Sequence, residues 1–326
     1  MRPERRLATH TATDSVTHMS HSDSDANDAE DGRADDAATV ARVLRASPLP
    51  VLEARILLGH VLGWRRTELI TRADDALPDE IAARYRALEA RRVAGEPVAQ
   101  LIGSREFFGL EFDVTPDVLI PRPETELLVE TALAALDDIS RPRVLDLGTG
   151  TGAIAVAIAA QRPDAELVAV DRSPQALAVA ARNAARLLDA ARPGGSLRCL
   201  EGSWYDALDA AASVSHAGNA EVPLRFHAIV SNPPYIANND PHLDEGDLRF
   251  EPRGALTDDA DGLDAIRAIV AGASRWLLPD GVLWIEHGYD QAAAVRALLA
   301  AAGFSEVASL CDLAGIERIS GGVLRG

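Results

Sequence analysis

The sequence predicts an α/β fold: a mostly parallel sheet with helices on both faces, preceded by a small N-terminal helical domain and a linking β-hairpin. Three observations carry this. Apolar residues recur at three- and four-residue steps up to about Ala94, alternate through a short turn-rich stretch, and then form strand-like runs separated by helical stretches. Strands that alternate with helices need crossover connections, and these produce parallel strands with helices packed on the sheet. At 326 residues the chain exceeds one average domain, so two folded domains are expected.

Residues 1–36 are expected to be a disordered tail. "SHSDSDANDAEDGRADDA" is too polar to bury the apolar surface that would offset chain entropy. His10, His18 and His21 are read there as solvated side chains rather than metal ligands. Residues 37–95 form the helical domain. In "PVLEARILLGHVLGW" the apolar positions run from Val51 through Ala54, Leu57 and Leu58 to Val61 and Leu62, and Gly63 is placed to stop the helix. "PDEIAARYRALEARRVAG" repeats the device, with Pro78 and Asp79 at its start and Gly95 at its end. Residues 96–120 are the hairpin linker, in which "REFFGLEFDV" alternates around a turn. Residues 121–326 carry the sheet. Strands are expected at 143–148, 165–171, 196–202, 226–232 and 281–287, with two more in the C-terminal "EVASLCDLAGIERISGGVLRG". Helices are expected at 152–160, 174–188, near 261–278 and at 291–303.

Composition narrows the function. The formal charge of −18 argues against electrostatic grip on nucleic acid, because phosphate contacts from Lys and Arg supply most non-specific affinity. Cys199 and Cys311 lack the paired spacing of a disulfide framework or metal site, so no metal is expected. No apolar run approaches the roughly 20 residues needed to span a bilayer, and no apolar secretory core follows the first residues. A soluble cytoplasmic protein without membrane contacts is expected.

Two loops carry the chemistry. "VLDLGTGTGAIAVAIA" sets Asp146, Gly148, Gly150 and Gly152 between a strand and a helix. Glycines suit a sharp turn or a close ligand approach, and ligands in open α/β sheets bind beyond the carboxyl ends of strands. The spacing differs from the dinucleotide fingerprint Gly-x-Gly-x-x-Gly. A carboxylate at Asp146 would repel a pyrophosphate and suit a ligand carrying an ammonium or sulfonium charge. Asp171 ends the second strand, where a carboxylate accepts both hydroxyls of a ribose or caps the turn before Ser173-Pro174. Trp204, in "EGSWYDAL", either covers an adenine face or is an ordinary packing tryptophan. These residues favour S-adenosylmethionine over a nicotinamide cofactor.

The second loop is "SNPPYI", which ends the fourth strand. If strands one and four are neighbours, Asn232 and the Pro233 carbonyl lie beside the donor loop. Proline fixes its own φ and restricts its predecessor, so Pro233-Pro234 makes a stiff turn that holds a carbonyl outward. Tyr235 offers a flat surface to a planar acceptor. Two acceptors, the Asn232 side-chain oxygen and the Pro233 carbonyl, suit the two hydrogens of an –NH₂ attached to a carbonyl or an aromatic ring. They would aim its lone pair at a methyl group and stabilise charge developing on nitrogen.

With "GEPVAQLIGSREFFG", "VLIPRPETELLVE", "DLGTGTGAIAVAIA", "NPPYI" and "IEHG", residues 37–326 resemble the release-factor glutamine methyltransferases, the PrmC/HemK-like family. Asn-Pro-Pro-Tyr is shared with enzymes that methylate adenine or guanine amino groups, whereas Pro121-Arg122-Pro123-Glu124-Thr125-Glu126 behind a helical domain is more particular. The resemblance implies a Rossmann-like class I methyltransferase sheet, mostly parallel with an antiparallel last strand. It implies methyl transfer from S-adenosyl-L-methionine, leaving S-adenosyl-L-homocysteine, to the glutamine side-chain amide of the Gly-Gly-Gln motif in class 1 peptide-chain release factors. Gly148, Thr149, Gly150, Thr151, Gly152, Asp171 and Trp204 would hold the donor, with Asn232 also near it. Asn232, Pro233, Pro234 and Tyr235 would bind the glutamine, and the catalytic contacts fall to Asn232, Pro233 and Tyr235. Phe107 or Phe108 would wall the pocket. A monomer that holds the release factor through its helical domain, without direct nucleic-acid binding, is expected. A DNA or ribosomal-RNA amino-group methyltransferase is the alternative, and a non-catalytic binding module a third reading. Arg122 and Glu124 are read as pocket-supporting groups or as an interdomain ion pair.

Overall fold

The computed structural model describes residues 38–215 and 225–326. The acidic tail with its three histidines, and residues 216–224, lie outside the described residues. The chain begins with helices α1 (Val40–Ala46), α2 (Val51–Leu62), α3 (Arg66–Thr71), α4 (Asp79–Val93) and α5 (Val98–Ile102). The Thr39 side chain accepts from the Arg42 N–H and starts α1. Gly63 ends α2 with φ +66°, the left-handed conformation common past a helix end. Asp79 and Glu80 occupy the first turn of α4 and Arg91 and Arg92 its last, the arrangement that opposes the helix dipole. Leu57, Leu58, Tyr85 and Leu101 share one core. Helix α5 lies within the stretch expected to be linker: Pro97 starts it and Gly103 stops it. The hairpin itself is β1 (Ser104–Phe107) paired antiparallel with β2 (Leu110–Asp113).

The remainder contains α6 (Glu126–Ala135), β3 (Arg143–Leu147), α7 (Ala153–Gln161), β4 (Glu166–Asp171), α8 (Pro174–Leu187), β5 (Arg198–Glu201) and α9 (Asp206–Ser215). After these come β6 (Phe226–Ser231), α10 (Arg253–Leu256), α11 (Asp264–Trp276), β7 (Leu277–Glu286), α12 (Ala292–Ala301), β8 (Ser305–Cys311) and β9 (Glu317–Leu324). One sheet runs β5-β4-β3-β6-β7-β9-β8. The pairs from β5 to β7 are parallel, and β9 is antiparallel to both neighbours. This is a Rossmann-like sheet with an antiparallel last strand, as expected. Helices α6, α9 and α10 were not anticipated from the pattern.

Side chains of β3 alternate across the sheet: Val144 enters one core, Leu145 and Leu147 the other. Helix α7 is buried from Ala153 through Ala159, because α6 and α8 flank it over the sheet; hence its apolar run without a polar face. Helix α8 is amphipathic. Ser173 accepts from the Ala176 N–H at 3.1 Å, and Leu177, Val179, Ala180 and Ala184 face inward.

The helices before the hairpin are tied to the segment after Tyr235. Arg92 donates to Glu53 at 2.7 Å and to Asp247 at 2.7 Å, and Gln100 Nε2 donates to the Phe250 carbonyl at 3.0 Å. Among the described residues no helix is long and apolar enough to cross a membrane. No group of three or more His, Cys, Asp or Glu there is placed to hold a metal ion.

Candidate active site

Strand order reverses about β3, which lies between β4 on one side and β6 on the other. Crossovers leave this point in opposite directions, so the loops beyond β3, β4 and β6 diverge and open a crevice. A cavity of about 270 Å³ lies there, walled by Gly148, Gly150, Asp171, Trp204, Asn232 and Pro234, together with Val118, Leu119, Pro252 and Gly254. Six residues singled out in the sequence are thus brought together.

The glycine loop is built as a turn over the end of β3. Gly148, Gly150 and Gly152 have φ of +74°, +54° and +81°, a region that carries a steric penalty for residues with a Cβ. The N–H groups of Gly148 and Thr149 both donate to the Val170 carbonyl, at 2.8 and 3.0 Å, which anchors the loop to β4. Asp146 is fully buried beneath it. Its Oδ2 accepts from Thr149 Oγ1 at 2.7 Å and from the Ala155 N–H at 3.3 Å, while Oδ1 has no partner. Burial pushes its pKa up to about 7 against these hydrogen bonds. Asp146 therefore supports the loop from below rather than facing the cavity. Thr149 and Thr151 are also buried. Asn183, fully buried, donates to the carbonyls of Thr151 (2.9 Å) and Asp113 (3.1 Å) and accepts from the Asp113 N–H (2.8 Å). That amide joins loop, α8 and hairpin, and no local pattern marks it.

Asp171 closes the loop from the β4 side. Its Oδ2 accepts from the Gly150 N–H and its Oδ1 from the Ser173 N–H, both at 2.9 Å. Each oxygen keeps a lone pair for a further donor. Ser173 Oγ, not Asp171, caps α8. Trp204 has φ +47°, costly for a bulky residue and common where a site imposes it. A Cβ on Gly148 would lie 3.6 Å from the Trp204 ring and 3.9 Å from the Asn232 carbonyl. The space left by the missing side chain is therefore a slot between an aromatic ring and the end of β6. A flat base against Trp204, ribose hydroxyls on Asp171 and a chain threading past Gly148 fit this donor set, as S-adenosylmethionine requires.

Beyond β6, Pro233 is buried and Asn232 half-buried. Asn232 Nδ2 donates to Thr125 Oγ1 at 3.1 Å. Thr125 is buried and donates to Glu286 Oε2 at 2.7 Å. The Tyr235 hydroxyl reaches Glu286 Oε1 at 3.4 Å, and the Tyr235 carbonyl accepts from Gln291 Nε2 at 3.0 Å. Burial pushes the Glu286 carboxyl up to about 7, opposed chiefly by the Thr125 hydrogen bond, and burial also raises the Tyr235 hydroxyl.

At two positions where the sequence left alternatives open, the packing separates them. Phe107 does not wall the cavity: it is 1% exposed and packs edge-on against Phe112, ring centroids 6.1 Å apart. Alternation along β1 turns it into the sheet core, leaving Phe108 half-buried at the turn with φ +52°. Arg122 does not pair between the helical and sheet domains. It forms an ion pair with buried Glu251, which also accepts from the Ile120 N–H at 3.0 Å, so it fastens the 118–122 segment to Pro252 and the start of α10. Arg172, also unanticipated, lines the cavity and donates to the Gly254 carbonyl at 3.1 Å. These pairings join positions 82 to 131 residues apart, beyond the reach of any local pattern.

Comparison with known proteins identifies the family. The family model described as "PrmC N-terminal domain" matches residues 38–103, and "Methyltransferase small domain" matches residues 123–246. A release factor glutamine methyltransferase of Burkholderia pseudomallei is 68% identical over 289 residues, 89% of this chain and 97% of its own. The one from Bordetella pertussis is 56% identical over 287 residues, 88% of this chain and 100% of its own. A solved release factor-specific protein-(glutamine-N5) methyltransferase from Alicyclobacillus acidocaldarius is 31% identical, covering 66% of this chain and 100% of that one, with a TM-score of 0.38. At 68% identity over 89% of its length and 97% of that relative's, the chain belongs to the release factor glutamine methyltransferase family.

Proposed function

We propose that the chain transfers a methyl group from S-adenosylmethionine to the side-chain amide nitrogen of the glutamine in the Gly-Gly-Gln motif of class 1 release factors, in the cytoplasm and as a monomer. The observation that carries this reading is Asn232, held at the cavity beside Gly148 with its amide NH₂ already engaged by Thr125. Its Oδ1 is the end available to a substrate N–H, as a planar –NH₂ needs.

When bound, S-adenosylmethionine supplies an electrophilic methyl next to a sulfonium charge. Asp171 would accept its ribose hydroxyls, Trp204 would cover its adenine, and the backbone at Gly148 and Gly150 would let it approach closely. Asn232 Oδ1 and the Pro233 carbonyl accept the two amide hydrogens of the glutamine and direct its lone pair along the line of attack. Holding the acceptor in that orientation contributes up to about 7–11 kcal/mol in the best intramolecular cases. The two oxygens also stabilise positive charge as it builds on nitrogen. The product nitrogen is acidic enough to lose its proton to water, so no base is assigned. Tyr235 lies along the planar amide, Pro234 stiffens the turn, and the helical segment 37–95 holds the release factor.

Purified protein, methyl-labelled donor and either release factor or nucleic acid test this directly, with mass spectrometry locating the label. Label on the Gly-Gly-Gln glutamine supports the assignment. Label on a base amino group, with none on the factor, overturns it in favour of nucleic-acid methylation.

A further inference from the structure

We infer that Thr125 and Glu286 are positioning residues that decide which end of the Asn232 amide faces the acceptor nitrogen, an inference that rests on Asn232 binding that nitrogen. The three groups form one line: Asn232 Nδ2 to Thr125 Oγ1 at 3.1 Å, and Thr125 Oγ1 to Glu286 Oε2 at 2.7 Å. Thr125 is 4% exposed and Glu286 2% exposed, so water does not substitute freely for either partner.

A hydroxyl has one proton, and an ionised carboxylate can only accept. With Glu286 ionised, the Thr125 proton must point to it, and Thr125 has only lone pairs left for Asn232. The Asn232 amide then turns its NH₂ toward Thr125 and its oxygen the other way. If Glu286 carries a proton on Oε2, the line reverses: Glu286 donates to Thr125, Thr125 donates to Asn232, and the flipped amide presents NH₂ outward. Two NH₂ groups then face each other across the acceptor site, and the hydrogen bond is lost.

The groups facing Glu286 set how easily it holds a proton. Thr125 and Glu124 approach from the start of α6, Tyr235 from the loop after β6, and Arg318 from β9. Burial and Glu124 favour the neutral form, which Arg318 and the two hydroxyls oppose; the balance puts its titration at about 7. The relay thus has the right polarity above neutrality and loses it below.

The test measures kcat and KM for release-factor methylation, donor Kd and thermal unfolding in Asn232→Ala, Thr125→Val, Thr125→Ser and Glu286→Gln. Valine keeps the shape of threonine without its hydroxyl. We expect it to lower kcat on the order of 10- to 100-fold, as for an unsatisfied buried polar group, with donor Kd little changed. Serine should recover most of the loss. Wild-type kcat should fall as pH drops through about 7, and Glu286→Gln should lack that acidic limb. Wild-type kcat in Thr125→Val, with Asn232→Ala inactive, would overturn the relay alone. Activity in Asn232→Ala would instead remove the assignment of Asn232. Should Thr125→Val fail to fold, an unchanged acidic limb in Glu286→Gln overturns the relay by itself.

Discussion

Alanine at Gly148 and alanine at Gly152 should have opposite signatures. Both residues adopt positive φ, +74° and +81°, so each substitution carries a backbone cost of about 1–2 kcal/mol. They differ in what the new methyl meets. At Gly152 it would come within 3.1 Å of the Ala180 Cβ and 3.2 Å of its Cα. Helix α8 must then move away from α7 in a buried region, adding about 1–3 kcal/mol of overpacking. At Gly148 the nearest atom is 3.6 Å away, an ordinary contact, so stability should bear the backbone term alone. That methyl, however, fills the slot between Trp204 and the end of β6. Gly148→Ala should therefore raise donor Kd by at least about tenfold, equivalent to ~1.4 kcal/mol, for a stability loss smaller than that of Gly152→Ala. Urea denaturation and calorimetric titration of the donor separate the two quantities. Unaltered donor affinity in Gly148→Ala would refute the placement of the donor along this loop.

Asp171→Ala should weaken donor binding on the order of tenfold by calorimetry, since the carboxylate's spare lone pairs are lost with its loop contacts; wild-type affinity would reduce Asp171 to a turn residue. Phe107→Ala should destabilise by about 3–5 kcal/mol in urea and leave the KM for release factor near its wild-type value; a raised KM with stability intact would return Phe107 to the substrate pocket. Asp146 binds its proton more tightly in the folded chain, with its pKa raised from 3.8 to about 7. Its stabilising contribution is complete below the unfolded value and is lost as pH rises through about 7. Glu286 has the same sign. Stability measured by denaturation should thus fall between pH 5 and 7.5, less steeply in Asp146→Asn; an equally steep fall in that variant would contradict the assignment.

Much of the fold is legible in the chain because the relevant physics is local. Period-two apolar runs, helical spacing, Gly63 and Gly95 as stops, and Ser173-Pro174 as a start each act within a few residues. The short helices α5 and α10 are not, since five and four residues cannot display a helical period. The site divides in the same way. Gly148, Gly150, Asp171, Trp204 and Asn232 stand at strand ends, and a parallel α/β sheet gathers such ends at its switch point whatever the details.

The sequence by itself determined the sheet, the strand-end residues and the chemistry that Asn-Pro-Pro-Tyr suits, because periodicity and turn composition are written in neighbouring residues. Only the tertiary structure decided that Phe107 points into the core, that Asp146 lies beneath the loop, and that Glu251 and Arg122 hold two segments of the cavity wall together. It alone brought Thr125 to Asn232 and to Glu286, across separations of 107 and 161 residues respectively. The physical reason is that hydrogen-bond polarity and burial depend on which chain segments meet, and sheet order, not sequence distance, sets those meetings.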